Sequence, residues 1–331
     1  MRSLIMKRST LVLLLFLLPL APEQVLGQSK IKVAYSSVTG NQAPLWIAQD
    51  RGIFKKNGLD VELIFIEGGS RAVQAMVAGD TPIAHVGATP IAVGNLRGAD
   101  LVLLAATVNK ILFQFFTAKG VSRPEDLKGK RVAISRFGSG SDFALRVALR
   151  ELRLEPNKDV AVLQLGTTPV RMAALESGSI HGTVLLPPET MLAKKKGYRL
   201  LVDLAASDFE FLNMGVAASR AFTKSQPETV RKFIRSYVEG IHFFKAHEAE
   251  SMKIVARYTR TEEQETLKEI YELYQKVFLK KPYVLTRGVQ NILDDLERTE
   301  PKAKGFSGSS MIENRFLKEL DESGFIDRLY Q

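Results

Sequence analysis

Residues 135–152, SRFGSGSDFALRVALREL, decide the fold that we expect for this chain. They follow GKRVAI, an alternating apolar run typical of a β-strand, and pass through a glycine- and serine-rich loop into an amphipathic helix. A helix that begins this way presents free backbone N–H groups to an anion, because the N–H groups of its first turn have no intrahelical partner. An ordinary capped helix behind a strand has the same pattern, so this stretch alone leaves both interpretations open.

The loop contains side chains suited to a small negatively charged group. Gly138 and Gly140 allow a tight turn and a close approach of the backbone to a ligand. Ser139 and Ser141 can cap the helix or donate their hydroxyl hydrogens. Arg136 can pair with a negative group, in a bidentate way if that group is planar. These five residues are our first candidates for ligand binding.

The composition of the 331 residues excludes several kinds of site. The chain has no cysteine, which rules out disulfides, thiolate metal ligands and cysteine nucleophiles. The formal net charge is +10, but the basic residues are spread along the chain. Nucleic-acid binding would need a concentrated basic stripe or a motif, so we expect none. The positive field nevertheless favours anionic solutes or membrane surfaces.

The N-terminus is typical of an export signal. Three basic residues precede LVLLLFLL, an apolar core too short to span a bilayer. Cleavage after Gly27 would make Gln28 the first residue of the mature chain. A lipid anchor would need a cysteine at that position, so we expect residues 1–27 to be a signal peptide and the exported protein to carry no lipid.

Strands and helices alternate from residue 31 onward. The runs IKVAY, LDVELIFIE, TPIAHVG and DLVLLAATV predict strands, and the pattern restarts with RVAIS, DVAVLQL and IHGTVLL. This alternation predicts α/β units with largely parallel sheets. From about residue 218 the apolar stripes predict helices that pack on the core. We also expect Trp46 to be a core residue and Asn41 to cap the first helix.

Common catalytic motifs are absent from the sequence. No serine lies in a G-x-S-x-G turn, and there is no P-loop or dinucleotide fingerprint. The last two of the four histidines, His242 and His247, are five residues apart and do not share a helix face. His85 and His181 lie in predicted strands. We therefore predict no catalytic residue, no metal site and no cofactor.

Three stretches resemble the periplasmic solute-binding proteins of ABC transporters, of the nitrate/sulfonate/taurine-binding type. They are IKVAYSSVTGNQAPLWIAQDRGIFKKNGLDVELIFIEGGSRAVQAMVAGDTPIAHVGATP, VSRPEDLKGKRVAISRFGSGSD and RMAALESGSIHGTVLLPPE. The most specific element is GIFKKNGLDVE, followed by a helix that ends in AGD. The superfamily also includes thiamine-pyrimidine precursor proteins. The resemblance covers residues 29–260.

The resemblance implies an α/β fold of the type II periplasmic-binding-protein class, with two lobes that close on a ligand by a hinge. Lobe one would comprise residues 29–116 and 218–331, including the C-terminal helices, and lobe two residues 117–217. The protein would be a periplasmic receptor without enzymatic activity. It would bind a small anionic organic solute such as a sulfonate, taurine or nitrate, and deliver it as a monomer to an ABC permease in the inner membrane.

The resemblance also implies that the ligand lies between the lobes, at strand ends and helix N-termini. Besides the loop from Ser135 to Ser141, which contains the five candidates above, it places around the cleft Ser36, Thr39, Asn41, Gly69, Ser70, Gly87, Ala88, Thr89, Thr167, Thr168, Pro188 and Glu189. Arg136 favours an anion and Glu189 an amine, so the two together would suit a zwitterion such as taurine.

Two other functions stay open on the sequence. The chain could bind a thiamine-precursor pyrimidine as a transported solute, or it could be the ligand-sensing subunit of a membrane receptor. The superfamily's pyrimidine-making enzymes carry a cysteine-rich motif. The lack of cysteine here, together with the export signal, argues against an enzyme.

Overall fold

The computed structural model describes residues 30–331, so the predicted signal peptide and its cleavage site lie outside the described residues. The described chain forms two five-stranded sheets with helices around them. The predicted α/β class with two lobes is therefore confirmed. No helix within residues 30–331 has both the length and the apolarity needed to cross a bilayer.

The first sheet gathers strands from both ends of the chain. Its strands are β1 (Ile31–Tyr35), β2 (Val61–Phe65), β3 (Ile83–Val86), β4 (Leu101–Lys110) and β10 (Glu210–Ser219). They lie in the order β2-β1-β3-β10-β4, with β10 antiparallel to both neighbours. The helices between its first four strands are α1 (Ala43–Asp50), α2 (Ile53–Lys56), α3 (Gly69–Ala78) and α4 (Ala88–Leu96).

The second sheet is formed by the middle of the chain. Its strands are β5 (Gln114–Thr117), β6 (Arg131–Ile134), β7 (Ala161–Gln164), β8 (Gly182–Leu185) and β9 (Arg199–Asp203), in the order β7-β6-β8-β5-β9. Strand β6 is parallel to β7 and β8, whereas β5 is antiparallel to β8 and β9. Its helices are α5 (Gly140–Glu151), α6 (Thr168–Glu176) and α7 (Glu189–Lys195).

The C-terminal part of the chain is helical, as the apolar stripes predict. The helices are α8 (Arg220–Ser225), α9 (Pro227–Ala246), α10 (Glu248–Thr259), α11 (Gln264–Val277), α12 (Thr286–Leu296), α13 (Arg315–Glu322) and α14 (Phe325–Leu329). Helix α9 packs on α1, and α12 packs on β10, so these helices complete the first sheet's side of the molecule. Trp46 is fully buried and stacks on Tyr258 at a ring distance of 4.5 Å, which confirms it as a core residue.

The polypeptide crosses between the two sheets twice. The strand pairing places both crossings earlier in the sequence than the predicted lobe boundaries. Strand β5 pairs only in the second sheet and β10 only in the first, although the predicted boundaries assigned them the other way round. Both strands are continuous apolar runs that suit a buried position in either sheet, so only their hydrogen-bonding partners decide. We therefore propose residues 30–110 and 210–331 as lobe one, and residues 114–206 as lobe two.

Candidate functional site

A cavity of about 70 Å³ lies between the two lobes. Nine of the predicted site residues line it: Ser36, Asn41, Gly69, Gly87, Ser139, Gly140, Ser141, Thr167 and Thr168. Three polar residues that the sequence did not single out as ligand contacts also line it, Ser37, Arg171 and Asn213, together with Ser135 at the start of the predicted loop. None of the residues that line this cavity is acidic.

Eight predicted site residues lie outside the cavity lining: Thr39, Ser70, Ala88, Thr89, Arg136, Gly138, Pro188 and Glu189. Thr39 lies behind the wall, where its hydroxyl donates to Asn41 Oδ1 at 2.8 Å. Ser70 Oγ donates to the Phe137 carbonyl at 2.7 Å and so joins the two lobes. Thr89 and Gly138 line a neighbouring groove.

Four helices begin at the cavity. Helices α3, α4, α5 and α6 follow strands of the two sheets, and their N-cap residues are Gly68, Gly87, Ser139 and Thr167. Of these four, only Ser139 caps its own helix with a side chain, which accepts from the Asp142 N–H. The other three lack a side-chain cap, so first-turn N–H groups and the positive ends of the helix dipoles face the cavity region.

Glycine at position 87 is a steric requirement of this arrangement. A Cβ atom on Gly87 would lie 2.7 Å from the Asn213 carbonyl oxygen of strand β10. The start of α4 can therefore approach β10 closely only with glycine at this position.

Three serine hydroxyls form a cluster on the lobe-two wall. Ser135, Ser139 and Ser141 lie within 2.8–3.0 Å of one another through their Oγ atoms. Ser141 Oγ accepts from the Ser135 N–H at 2.9 Å, and Ser139 Oγ accepts from the Asp142 N–H. Each hydroxyl hydrogen can point to a neighbouring serine of the cluster or turn to a ligand in the cavity, so the cluster can supply donors. The loop that the sequence singled out thus brings its serines to the cavity.

Arg171 places a buried cation in the cavity wall. It lies in the first turn of α6 and is only 2% exposed. Its guanidinium donates to the Gly166 carbonyl at 2.5 Å, the Val184 carbonyl at 3.0 Å and Thr183 Oγ1 at 3.1 Å. Burial lowers the pKa of Arg171 to about 10, so the group stays charged at neutral pH. Its acceptors are neutral, so no hydrogen-bonded carboxylate cancels its charge.

Sequence reasoning missed Arg171, although the sequence holds a signal. A cation in the first turn of a helix is repelled by the positive end of the helix dipole. An arginine at such a position therefore indicates that another interaction keeps it there. The run GTTPVR puts an arginine at that position, directly after a strand and a turn. Read in this way, the residue would have been a candidate for anion binding.

Arg136 pairs with an acidic side chain of the other lobe and does not line the cavity. Its Nη2 forms an ion pair with the Glu67 carboxylate of lobe one, and both side chains are about 29% exposed. Gly166 makes room for this pair: its φ is +83°, and a Cβ there would lie 2.5 Å from Glu67 Oε2. The predicted partner of Arg136 was a ligand, and the partner in the structure is Glu67.

Asn213 offers an unused donor on the lobe-one wall. Asn41 Nδ2 donates to Asn213 Oδ1 at 3.2 Å, and both side chains are buried. Asn213 Nδ2 is buried and has no partner among residues 30–331. Asn41 is therefore part of the wall. It is not the predicted helix cap, because α1 begins at Ala43 and its N-cap residue is Gln42. An asparagine inside the apolar run FLNMGVAAS was the signal available in the sequence.

Glu189 lies buried at the start of α7, outside the cavity lining. Burial raises its pKa to about 7, against the lowering effect of its own backbone N–H and of the nearby Arg171 charge. Its Oε2 atom has no hydrogen-bond partner within the described part of the chain. The carboxyl group is therefore close to Arg171 without contacting the cavity.

We expect the Glu189→Gln variant to lose a pH dependence of folding stability. The unfolded carboxyl loses its proton near its ordinary pKa of 4.5, the folded one near 7, so the native state binds more protons between these values. Stability should therefore fall as pH rises from about 4.5 to about 7, by about 3 kcal/mol at about 1.4 kcal/mol per pKa unit. Urea unfolding across this range measures the effect. The exposed Glu272→Gln is the control, and equal pH slopes in wild type and Glu189→Gln would contradict the prediction.

Among residues 30–331, no group of three or more His, Asp or Glu side chains could hold a metal ion. The cavity offers hydroxyl, amide, backbone N–H and guanidinium donors instead. These groups bind anions, because each of them presents a hydrogen to an electron-rich atom.

Comparison with known proteins agrees with this architecture. The taurine-binding periplasmic protein of Escherichia coli (strain K12) is 28% identical over 213 residues, which are 63% of this chain and 65% of that protein, so the match spans less than two thirds of the relative. A solved structure from Bordetella bronchiseptica RB50 covers 90% of this chain and 98% of its own, with a TM-score of 0.82 and 21% identity.

A second solved structure is the alkanesulfonate-binding protein SsuA of Xanthomonas axonopodis pv. citri, bound to MOPS. It covers 86% of this chain and 98% of its own, with a TM-score of 0.70 and 16% identity. At these identities the two structures show the shared fold. A family described as NMT1/THI5 like matches residues 39–251, which is more than half of the sequence. Together with this family match and the taurine-binding relative, the shared fold confirms the predicted resemblance to periplasmic solute-binding proteins. The chain belongs to the family described as NMT1/THI5 like.

Proposed function

We propose that this chain is a receptor that captures a small anionic organic solute between its two lobes and delivers it to an ABC permease. The observation that carries the proposal is the cavity wall. It combines the buried Arg171 cation with four helix N-termini and lacks any acidic residue. A negative group placed there would receive charge-assisted hydrogen bonds away from bulk water, where they are strongest.

The size of the cavity favours a small solute. Its volume of about 70 Å³ is far below the ~300–1,000 Å³ of pockets that hold drug-sized ligands. Solutes of a few heavy atoms, such as nitrate, taurine or a sulfonate with a short chain, come nearest to this scale. We favour a short alkanesulfonate, because Glu189, the residue predicted to hold an amine, lies outside the cavity lining.

Delivery to a permease is the part of the proposal that rests on the resemblance to the receptors of ABC transporters. The taurine-binding relative is a periplasmic protein, and the sequence begins like an exported one. We propose that the chain is a periplasmic monomer without catalytic activity, and that closure of the lobes produces the form that a permease recognises.

The first test is a binding measurement with charge-matched probes. We expect ethanesulfonate to raise the melting temperature of the chain from residue 28 by several degrees when present at about 100 times its dissociation constant, which adds about 2.7 kcal/mol of stability. Ethyl methyl sulfone has nearly the same shape without the charge, and it should leave the melting temperature unchanged. Calorimetric titration should give one site per chain.

The same panel separates the alternatives. Taurine binding tighter than ethanesulfonate would mean that the ammonium group finds a partner such as Glu189. Binding of a thiamine-precursor pyrimidine, with no response to ethanesulfonate, taurine or nitrate, would overturn the anion receptor. Capture of a membrane kinase in place of a permease, by the ligand-loaded chain, would favour a sensor.

A further inference from the structure

A chain of buried polar side chains runs from the core of lobe one to the cavity. It begins at His85 in β3, which is 0% exposed, and passes through Gln42 to Ser37 in the cavity wall. Gln42 Nε2 donates to Ser37 Oγ at 3.1 Å, and Gln42 Oε1 is hydrogen-bonded to His85 Nδ1. His85 lies behind the wall and is not one of the proposed solute contacts.

The groups that face His85 are all uncharged. On one side lies the Gln42 amide, and on the other His85 Nε2 lies 2.5 Å from Tyr237 Oη and 3.2 Å from Thr107 Oγ1. Thr107 and Tyr237 are themselves hydrogen-bonded and fully buried. Burial keeps this imidazole neutral, since it lowers the pKa of His85 to about 3. A neutral imidazole has one donor and one acceptor nitrogen, so the chain of hydrogen bonds has a direction.

The contacts of Gln42 set that direction. Its Nε2 atom faces two acceptors, Ser37 Oγ and, at 3.6 Å, Met214 Sδ. A sulfur atom accepts hydrogen bonds and a thioether donates none, so the amide nitrogen belongs on that side. The amide oxygen then faces His85, whose Nδ1 must carry the hydrogen, and Nε2 must accept from the hydroxyls of Tyr237 or Thr107.

The direction determines what the wall offers to a ligand. Ser37 Oγ accepts from Gln42, so its own hydrogen points away from Gln42, toward Thr39 Oγ1 at 3.0 Å, Asn41 Oδ1 at 3.5 Å or the cavity. A second branch runs from Thr39 through Asn41 to Asn213, and it leaves Asn213 Nδ2 without a partner among residues 30–331 at the cavity. Where the Ser37 hydrogen goes to Thr39, the two branches form one chain of hydrogen bonds, and its end at the cavity is the Asn213 amide donor.

We propose that His85 and Gln42 are positioning residues that hold the lobe-one wall of the cavity as a donor surface and thereby select an anion. The inference rests on the proposed function for its ligand. The direction of the chain of hydrogen bonds, however, is a property of the free protein. A hydrogen on His85 Nδ1 orients Gln42, Gln42 orients Ser37, and the wall then presents hydrogens where an anionic oxygen would lie.

The direction can be tested without any ligand. Nitrogen-15 spectra of the imidazole rings, with His85→Asn identifying the His85 signals, should show the Nδ1–H tautomer, unchanged from about pH 5 to about pH 8. An Nε2–H tautomer, or a ring that becomes charged in this range, would overturn the proposal. This measurement separates failure of the inference from failure of the proposed function.

Affinity measurements test the consequence for binding. An asparagine amide can place an N–H near the position of Nδ1, so His85→Asn should keep ethanesulfonate affinity within about threefold, whereas His85→Leu should lose about tenfold or more. Gln42→Met should lose as much as His85→Leu, and the exposed Gln74→Met is the matched control. Equal affinities of the leucine and asparagine variants would contradict a positioning role. If His85→Leu fails to fold, the tautomer measurement and the affinity of Gln42→Met test the proposal. If the wild-type protein binds no sulfonate, the tautomer measurement alone tests it.

Discussion

Replacing Arg171 with methionine should abolish measurable binding of ethanesulfonate. Methionine keeps much of the side-chain volume and removes the positive charge from the cavity wall. A charge-assisted hydrogen bond in a buried site contributes about 1.5–3 kcal/mol, and the desolvated charge adds to it, so we expect a loss of affinity of at least about 100-fold. Calorimetric titration of the folded variant measures the loss.

The same substitution should destabilise lobe two. Arg171 donates to the carbonyls of Gly166 and Val184 and to Thr183 Oγ1, and each buried acceptor left without a donor costs about 1–3 kcal/mol. Arg171→Lys keeps the charge and should retain partial binding. Arg146→Met changes an arginine of the same lobe that pairs with Asp142 and does not line the cavity, so it is the matched control. A folded Arg171→Met that binds ethanesulfonate within about threefold of wild type would remove Arg171 from the site.

The sequence predicted the parts of the cleft that depend on local backbone geometry. Alternating apolar runs located the strands, and glycine- and serine-rich turns located the helix starts at Gly69 and Gly140. Ser139 caps α5 as predicted, because an N-cap depends only on residues within one turn of it. Local chemistry of this kind is readable from the sequence without knowing the tertiary structure.

The features that the sequence could not provide depend on partners distant in the chain. Arg136 suits an anion as well as a carboxylate, and only the fold brings Glu67, 69 residues away, against it. Asn213 is 172 residues from Asn41, so nothing local indicates that the two amides share a hydrogen bond. The sheet in which the crossing strands β5 and β10 pair is not readable from the sequence for a related reason, since an apolar run does not identify its hydrogen-bonding neighbour.

The ion pairs across the cleft have one consistent polarity. The acidic partner belongs to lobe one and the basic partner to lobe two in three places. Glu67 pairs with Arg136, Asp295 with Arg150 at 2.5 Å, and Glu263 and Glu265 with Lys195 at 3.0 and 2.8 Å. Partly exposed pairs of this kind contribute about 0–1 kcal/mol each, but all of them exist only when the lobes are together. Their attraction therefore favours the closed form.

Reversing one of these charges should hold the lobes apart. In Arg136→Glu, two carboxylates would face each other where the lobes meet, and like charges about 4 Å apart at a partly buried site repel by about 4 kcal/mol. Part of this repulsion is relieved by rotation of the side chains, so we expect ethanesulfonate affinity to fall about 100-fold, or about 2.7 kcal/mol. Small-angle scattering with saturating ethanesulfonate should show a larger radius of gyration than for wild type.

A control within one lobe distinguishes closure from a general effect of charge. Arg146→Glu makes the same charge change beside Asp142, but that pair lies within α5 and does not cross the cleft. It should leave the affinity within about threefold of wild type. Added salt should weaken wild-type binding and partly restore Arg136→Glu, because screening acts on attraction in the first and on repulsion in the second. If both glutamate variants lost affinity equally, or if salt weakened both proteins alike, the ion pairs would not be what holds the lobes closed.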